Sequence, residues 1–282
     1  MKKILLISYY WENDNSVGKQ RWTNLISELR KNNYEIIVLT FSKREYIKKE
    51  KKFTLIEKKI NSFYDFFSNK SLENYSKGIV DSSTNIFITI LSWIRVNFFF
   101  PDGRLFFSKG IENYIVEFIK SKKVNILITT SPPHSIQSLG LAIKKRTKVK
   151  WISDFRDPYI NWDILLNMNP TFISKKIHSF YQNSFLKNSD KVVVTNSELK
   201  NEFKKIIKKD NISLIPNGSN LKSLFIESNK FILSYFGLLN KLRNPKALID
   251  ILEDLVIENK DFAKLFEFHL YGNIQKSTVN YI

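Results

Sequence analysis

Short, nearly unbroken apolar runs alternate along this chain with longer segments whose apolar residues recur three or four positions apart. Such alternation is what a parallel sheet covered by helices on both faces requires, because its strands are buried on both sides and its crossovers are amphipathic. The runs Ile4–Ser8, Glu35–Thr40, Asn125–Thr130, Lys150–Asp154, Lys191–Thr195 and Ile212–Pro216 each fit a buried strand of about five residues. Between them, Gly18–Lys31, Lys109–Ser121, Ser135–Arg146, Ser174–Leu186 and Glu198–Lys208 read as helices. The pattern predicts a Rossmann-like, doubly wound α/β domain over residues 1–216. After a linker at 217–230, a second strand, helix and strand (Phe231–Phe236, Pro245–Glu258, Phe266–Tyr271) predict part of another such domain over 231–282. One strand–helix–strand unit cannot cover both faces of its sheet, so this second Rossmann-like domain reads as incomplete.

With 43% hydrophobic residues in 282, the chain can build a real core. The absence of cysteine excludes disulfides, thiolate metal sites and cysteine nucleophiles, and fits a reducing cytoplasm. The opening Met1–Ser8 is too short for a signal peptide and is followed by polar residues, so it reads as the first buried strand. A formal charge of +18 either makes polyanions natural partners (nucleic acid, anionic lipid or a diphosphate substrate) or is simply a solvated lysine surface. The lysines are dispersed and no compact nucleic-acid-binding motif accompanies them, so no nucleic-acid partner is expected. Ile86–Phe100, interrupted by Arg95, is too short to span a bilayer. Two readings fit it: a buried or inter-domain core helix, or an amphipathic contact with an anionic membrane surface.

In open α/β sheets ligands bind beyond the carboxyl ends of the strands, so polar clusters there are the candidate site. In the first, Gly18 allows close backbone approach, and Lys19 and Arg21 with the following helix amino-terminus favour a phosphate. It is neither a Walker loop nor a GxGxxG fingerprint, and ordinary helix capping fits it equally. In Thr129–Ser135 the prolines fix a turn, Ser131 can cap a helix, and His134 could bind a hydroxyl, move a proton or be structural. Asp154, Arg156 and Asp157 end a strand as either a preorganised polar site or a structural ion pair. Beyond Phe231–Phe236, Gly237 permits a tight exit, while Lys241 and Arg243 precede a helix and are either diphosphate ligands or ordinary loop cations. No cluster has metal-ligand spacing.

Taken in order, the Asp14–Trp22 loop, Pro101-Asp-Gly-Arg104, Ser131-Pro-Pro-His134, Asp154-Phe-Arg-Asp-Pro158, Ile215-Pro-Asn-Gly218 and Phe236-Gly237 through Pro245 resemble the family 4 glycosyltransferases of the GT-B fold. The likeness is greatest to the capsule and lipopolysaccharide branch, and it spans nearly the whole chain. It implies an acceptor-binding amino-terminal domain and a nucleotide-sugar-binding carboxy-terminal one, with retention of configuration and with neither metal nor cofactor. The leaving diphosphate would then be stabilised by basic side chains and helix amino-termini. Residue by residue, the resemblance gives Gly18, Gly237, Lys241 and Arg243 to the donor phosphates and Lys19, Arg21 and Ser131 to the acceptor side. Asp154, Arg156, Asp157 and His134 fall at the catalytic centre. It further implies a lipid-linked saccharide acceptor met at the inner face of the cytoplasmic membrane.

One departure stands out. The family's later pair of glutamates, eight positions apart, has no counterpart before Ile282; Glu253 and Asp261 have the spacing but sit too early, in and just after the second domain's first helix. A truncated, weakly active or inactive transferase is therefore expected. The alternative is a non-catalytic acceptor-binding subunit or scaffold that needs a separate donor-domain chain.

Overall fold

The computed structural model describes residues 1–11, 17–42, 45–60, 86–104, 109–208, 210–218, 228–239, 243, 245–274 and 279–281. Described residues up to 218 form one compact unit and those from 228 form another.

The first unit is built on an eight-stranded sheet: β1 (Lys2–Ser8), β2 (Tyr34–Ser42), β3 (Tyr46–Lys49), β4 (Thr54–Lys59), β5 (Ile126–Ser131), β6 (Lys150–Phe155), β7 (Lys191–Val194) and β8 (Ile212–Leu214). Their spatial order is β3-β4-β2-β1-β5-β6-β7-β8, and every pairing is parallel except β3 on β4. All six strands expected in this unit are present. The short pair β3 and β4 is additional, and its lysine-rich strands (YIKK and TLIEKK) carry too weak an apolar signal to be read in advance.

Seven described helices belong to this unit: α1 (Val17–Lys31), α2 (Ile86–Phe98), α3 (Lys109–Lys122), α4 (Ser135–Arg146), α5 (Asp163–Leu166), α6 (Phe172–Asn188) and α7 (Ser197–Ile206). The core lies on both faces of the sheet. Leu5, Leu6, Ile7, Val38, Leu39, Trp151, Phe155, Phe185 and Phe203 are essentially inaccessible, each such side chain contributing about 1.5–3 kcal/mol through burial. This is the Rossmann-like, mostly parallel α/β architecture expected from the alternation of apolar runs and amphipathic segments.

Helix α2 is not a buried core helix. Ser92, Val96 and Asn97 face inward, but Ile86, Ile90, Trp93 and Phe98 stand exposed. Among the described residues, no helix is long and apolar enough to cross a membrane.

The second unit holds β9 (Phe231–Leu239), α8 (Lys246–Glu258), α9 (Lys260–Leu265) and β10 (Phe266–Ile274), with β9 and β10 parallel in a two-stranded sheet. Among its described apolar side chains, only Leu239 and Ile249 are buried. Strand β9 runs past its expected end at Phe236. Gly237 therefore lies inside the strand, not in an exit loop, and pairs with Gly272. It adopts φ +146, and a Cβ on Gly272 would meet the Gly237 carbonyl oxygen at 2.1 Å, so two glycines are what lets the strands continue here.

Candidate functional site

The strand order reverses direction between β1 and β5, which makes their carboxyl ends the topological switch point of the sheet. Register brings the expected clusters side by side there: Ser8 pairs with Thr130, Thr130 with Asp154, and Ser131 with Phe155. The segments after β1, β5 and β6 thus leave the sheet as neighbours. Residues 12–16 of the first of them lie outside the described residues.

Asp154 is the anchor of this edge. Its Oδ1 accepts from Arg21 Nη2 at 3.1 Å, and its Oδ2 accepts from Trp22 Nε1 at 3.1 Å and Thr130 Oγ1 at 2.7 Å. The Asp154 side chain has no exposure and that of Arg21 only 2%. A carboxylate held by three donors and sealed from solvent clamps the start of α1 onto β5 and β6. Arg21 extends the clamp, since its Nη1 donates to the Pro216 carbonyl at 2.9 Å. Asn24 Nδ2 likewise donates to the Gly218 carbonyl at 3.3 Å, which holds the Ile215-Pro-Asn-Gly218 segment against α1.

Arg156 is the cation that faces the switch point. Its Nε donates to the Ser131 carbonyl at 3.2 Å and its Nη2 to the Pro132 carbonyl at 3.0 Å. Its Nη1 occupies the space beside Gly18, where a Cβ would fall 1.5 Å from it. Gly18, Ser131 and Arg156 therefore meet. A guanidinium next to the first turn of α1, whose amide groups carry partial positive charge, is an arrangement suited to an anion. Lys19 and Asp157 are half-buried on the same segments. Ser131 is buried, its Oγ donating to the Asp154 carbonyl at 3.3 Å and accepting from Gln137 Nε2 at 3.0 Å, so it supports the edge from beneath.

His134 lies deeper than its loop position implies. It is 3% exposed, 4.4 Å from the Tyr159 ring centroid and 6.0 Å from that of Trp162. Neither ring nitrogen has a hydrogen-bond partner of ordinary geometry. Burial, aided by Arg156 and His178, pushes its pKa down to about 4 against the opposing pull of Asp102 and the Pro158 backbone. The ring is neutral at physiological pH and, as placed, fills the core; proton exchange with a ligand would need it to move.

Two residues at this edge carry roles that spacing alone does not reveal. Asp102 accepts from the Ser135 amide at 2.8 Å through Oδ2 and from the Arg104 amide at 2.9 Å through Oδ1, so the Pro101-Asp-Gly-Arg104 turn caps α4. Arg104 lies over Tyr9 and Tyr10, 5.6 and 5.8 Å from their ring centroids, just beyond β1. The Pro101-Asp-Gly-Arg104 motif marks this segment in the sequence, but does not say that its carboxylate reaches a helix 33 residues further on.

In the second unit, Arg243 is exposed shortly before α8, while Lys241 lies outside the described residues. Among the described residues, no group of His, Asp and Glu side chains is arranged to hold a metal ion.

No protein-family profile and no curated protein sequence matches the chain. Solved structures do. TarM superposes with a TM-score of 0.57 at 10% identity, over 99% of this chain and 73% of that one. A variant of S. aureus TarM in complex with fondaparinux, alpha-GlcNAc-glycerol and UDP gives 0.53 at 10% identity, over 100% and 75%. The alpha,alpha-trehalose 6-phosphate synthase of Burkholderia multivorans gives 0.55 at 8% identity, over 99% and 65%. At these identities the likeness is one of fold: the chain shares the Rossmann-like architecture of GT-B glycosyltransferases.

Proposed function

We propose that this chain is a retaining, nucleotide-sugar-dependent glycosyltransferase of bacterial surface polysaccharide synthesis. Residues 1–216 would bind a lipid-linked saccharide acceptor at the inner face of the cytoplasmic membrane, and 231–282 would contribute to the donor side. The observation that carries this reading is the meeting of Arg156, Gly18 and Ser131 at the switch point, where a guanidinium and a helix amino-terminus face the same space. The fold shared with TarM and the trehalose-phosphate synthase supports it, as do the family-like motifs.

In this reading Arg156 stabilises negative charge that develops on the leaving group, and the family-like segment of Lys241 and Arg243 belongs to the donor side. No metal is needed for that chemistry. Asp154 and Arg21 act as positioning residues, keeping α1 and β6 in register beneath the reacting groups. Asp157 and Lys19, partly accessible at the same edge, are assigned to acceptor hydroxyls.

A second reading, a non-catalytic acceptor-binding subunit served by a separate donor-domain chain, is favoured by the sparse burial in the second unit. Titrating the chain with UDP, and assaying it with a panel of nucleotide sugars and lipid-linked saccharides, tests both. Transfer that falls in Arg156→Gln supports the enzyme. Acceptor binding without UDP binding supports the subunit, and the absence of both overturns the proposal.

A further inference from the structure

Helix α6 is inverted with respect to an ordinary amphipathic helix. The side it turns into the protein carries Ser174, His178 and Gln182 beside Phe185 and Leu186, all buried. The polar members of that side are satisfied. Ser174 Oγ donates to the Val96 carbonyl at 2.7 Å, and His178 bridges the Val96 carbonyl at 2.9 Å and the Tyr159 hydroxyl at 2.6 Å. The opposite side carries Phe172, Ile173 and Phe180, exposed by 71%, 70% and 68%. At 3.6 residues per turn these three share one stripe with Lys176 and Lys187.

The stripe continues onto α2. Thr171 donates its amide to Asn97 Oδ1 at 2.8 Å, which sets Phe172 and Phe98 each one residue from that bond, and Phe98 is 64% exposed. Trp93 packs edge-on against Phe98 with centroids 6.0 Å apart. Large aromatic side chains turned outward from two adjoining helices, over buried and fully bonded polar groups, are not explained by packing among the described residues of this unit.

We infer that α2 and α6 together form a surface that docks on an anionic lipid bilayer. Charge selects this occupant. Neither helix carries a carboxylate, whereas they hold Arg95, Lys175, Lys176 and Lys187. Lys176 lies over the Phe172 ring at 4.5 Å, which keeps its charge beside the apolar surface, where a headgroup phosphate would meet it. Aromatic and aliphatic side chains enter the acyl boundary while lysines pair with phosphates, and since neither helix spans the membrane the contact is interfacial.

This deepens the transferase reading by naming the face on which the protein would meet a lipid-linked acceptor. Vesicle binding is measured without sugar transfer, so either can fail alone.

The test is co-sedimentation of the full chain with phosphatidylcholine vesicles, with and without phosphatidylglycerol, alongside a Phe172→Asp/Phe180→Asp variant and a Lys176→Glu/Lys187→Glu variant. All four positions are exposed, so circular dichroism should stay that of the parent chain. The expected result is binding to phosphatidylglycerol vesicles that weakens with salt and falls roughly tenfold or more in each variant. Equal binding by parent and variants overturns the inference. So does self-association in analytical ultracentrifugation that the aspartates abolish without any vesicle binding, because the surface would then join two copies of the chain.

Discussion

Arg21 and Asp154, 133 residues apart in sequence, form an ion pair of 3.1 Å with essentially no exposure of either side chain. Arg21 Nε has no hydrogen-bond partner, so the guanidinium depends on this carboxylate, on the Pro216 carbonyl and on Asn217 Oδ1. Removing one partner strands a buried charge, and we expect Asp154→Ala to lose about 3–5 kcal/mol in urea unfolding. Replacing both, as Arg21→Met/Asp154→Leu, should lose less than Asp154→Ala alone. Equal midpoints for Asp154→Ala and the parent chain would show that the pair does not hold α1 to the sheet.

Gly18 offers a cleaner way to disturb the site. A methyl group there collides with Arg156 Nη1, the far end of a flexible side chain, and with no other residue as closely. The arginine can swing away, so Gly18→Ala should change stability by less than about 1 kcal/mol. The guanidinium would nonetheless leave its place beside α1. We expect UDP affinity in Gly18→Ala to fall as it does in Arg156→Gln, and the double variant to bind no worse than either single one. Additive losses would mean that the two residues act on UDP separately.

The six strands expected in the first unit were legible because each is apolar on both faces, and only a doubly covered sheet accepts such runs. Strand β4 was not, since its TLIEKK sequence looks like a surface segment even though Glu57 is buried against Ser42. At the site, the convergence of Gly18, Ser131 and Arg156 follows from strand order, which the alternation of elements narrows to a handful of topologies. The partner of Asp154 does not follow. Several cations lie near strand ends, and only packing decides that Arg21 and not Arg156 is the one sealed against it. His134 is a similar case: Tyr159 and Trp162, which enclose it, come from the segment after the next strand.

Gly140 on α4 answers a different question, how closely a helix lies on the sheet. An added Cβ would come 2.6 Å from Trp151 Nε1 and 2.9 Å from Thr129 Cγ2. Neither atom can retreat easily. The Trp151 ring is fully buried and its Nε1 donates to Thr129 Oγ1 at 2.8 Å, while that hydroxyl donates to Gln137 Oε1 at 2.6 Å. Alanine is the better helix former by about 1 kcal/mol, but overpacking of this kind costs about 1–3 kcal/mol. Gly140→Ala should therefore be net destabilising in thermal melts, and a raised melting temperature would show that α4 can shift outward.

The two buried histidines make stability depend on pH with a definite sign. Burial is the main cause of the lowered pKa of both, taking that of His134 to about 4. For His178, the opposing pulls of the Val96 backbone and Asp102 leave a net lowering. An unfolded histidine titrates near 6.5, so between about 4 and 6.5 the unfolded chain binds protons that the folded chain refuses. Stability from this source is complete above about pH 6.5 and declines as pH falls toward 4. For His134 alone the decline amounts to roughly 3 kcal/mol, since each unit of difference is worth about 1.4 kcal/mol. Urea unfolding at a series of pH values should show this slope, and His134→Phe should flatten part of it by removing the group that must charge on unfolding. The aromatic replacement suits a site lined by Phe155, Tyr159 and Trp162, so its stability at pH 7.5 should lie near that of the parent chain. An unchanged slope in His134→Phe would mean that His134 is accessible to protons in the folded state, which would return it to the set of residues able to exchange a proton with a ligand.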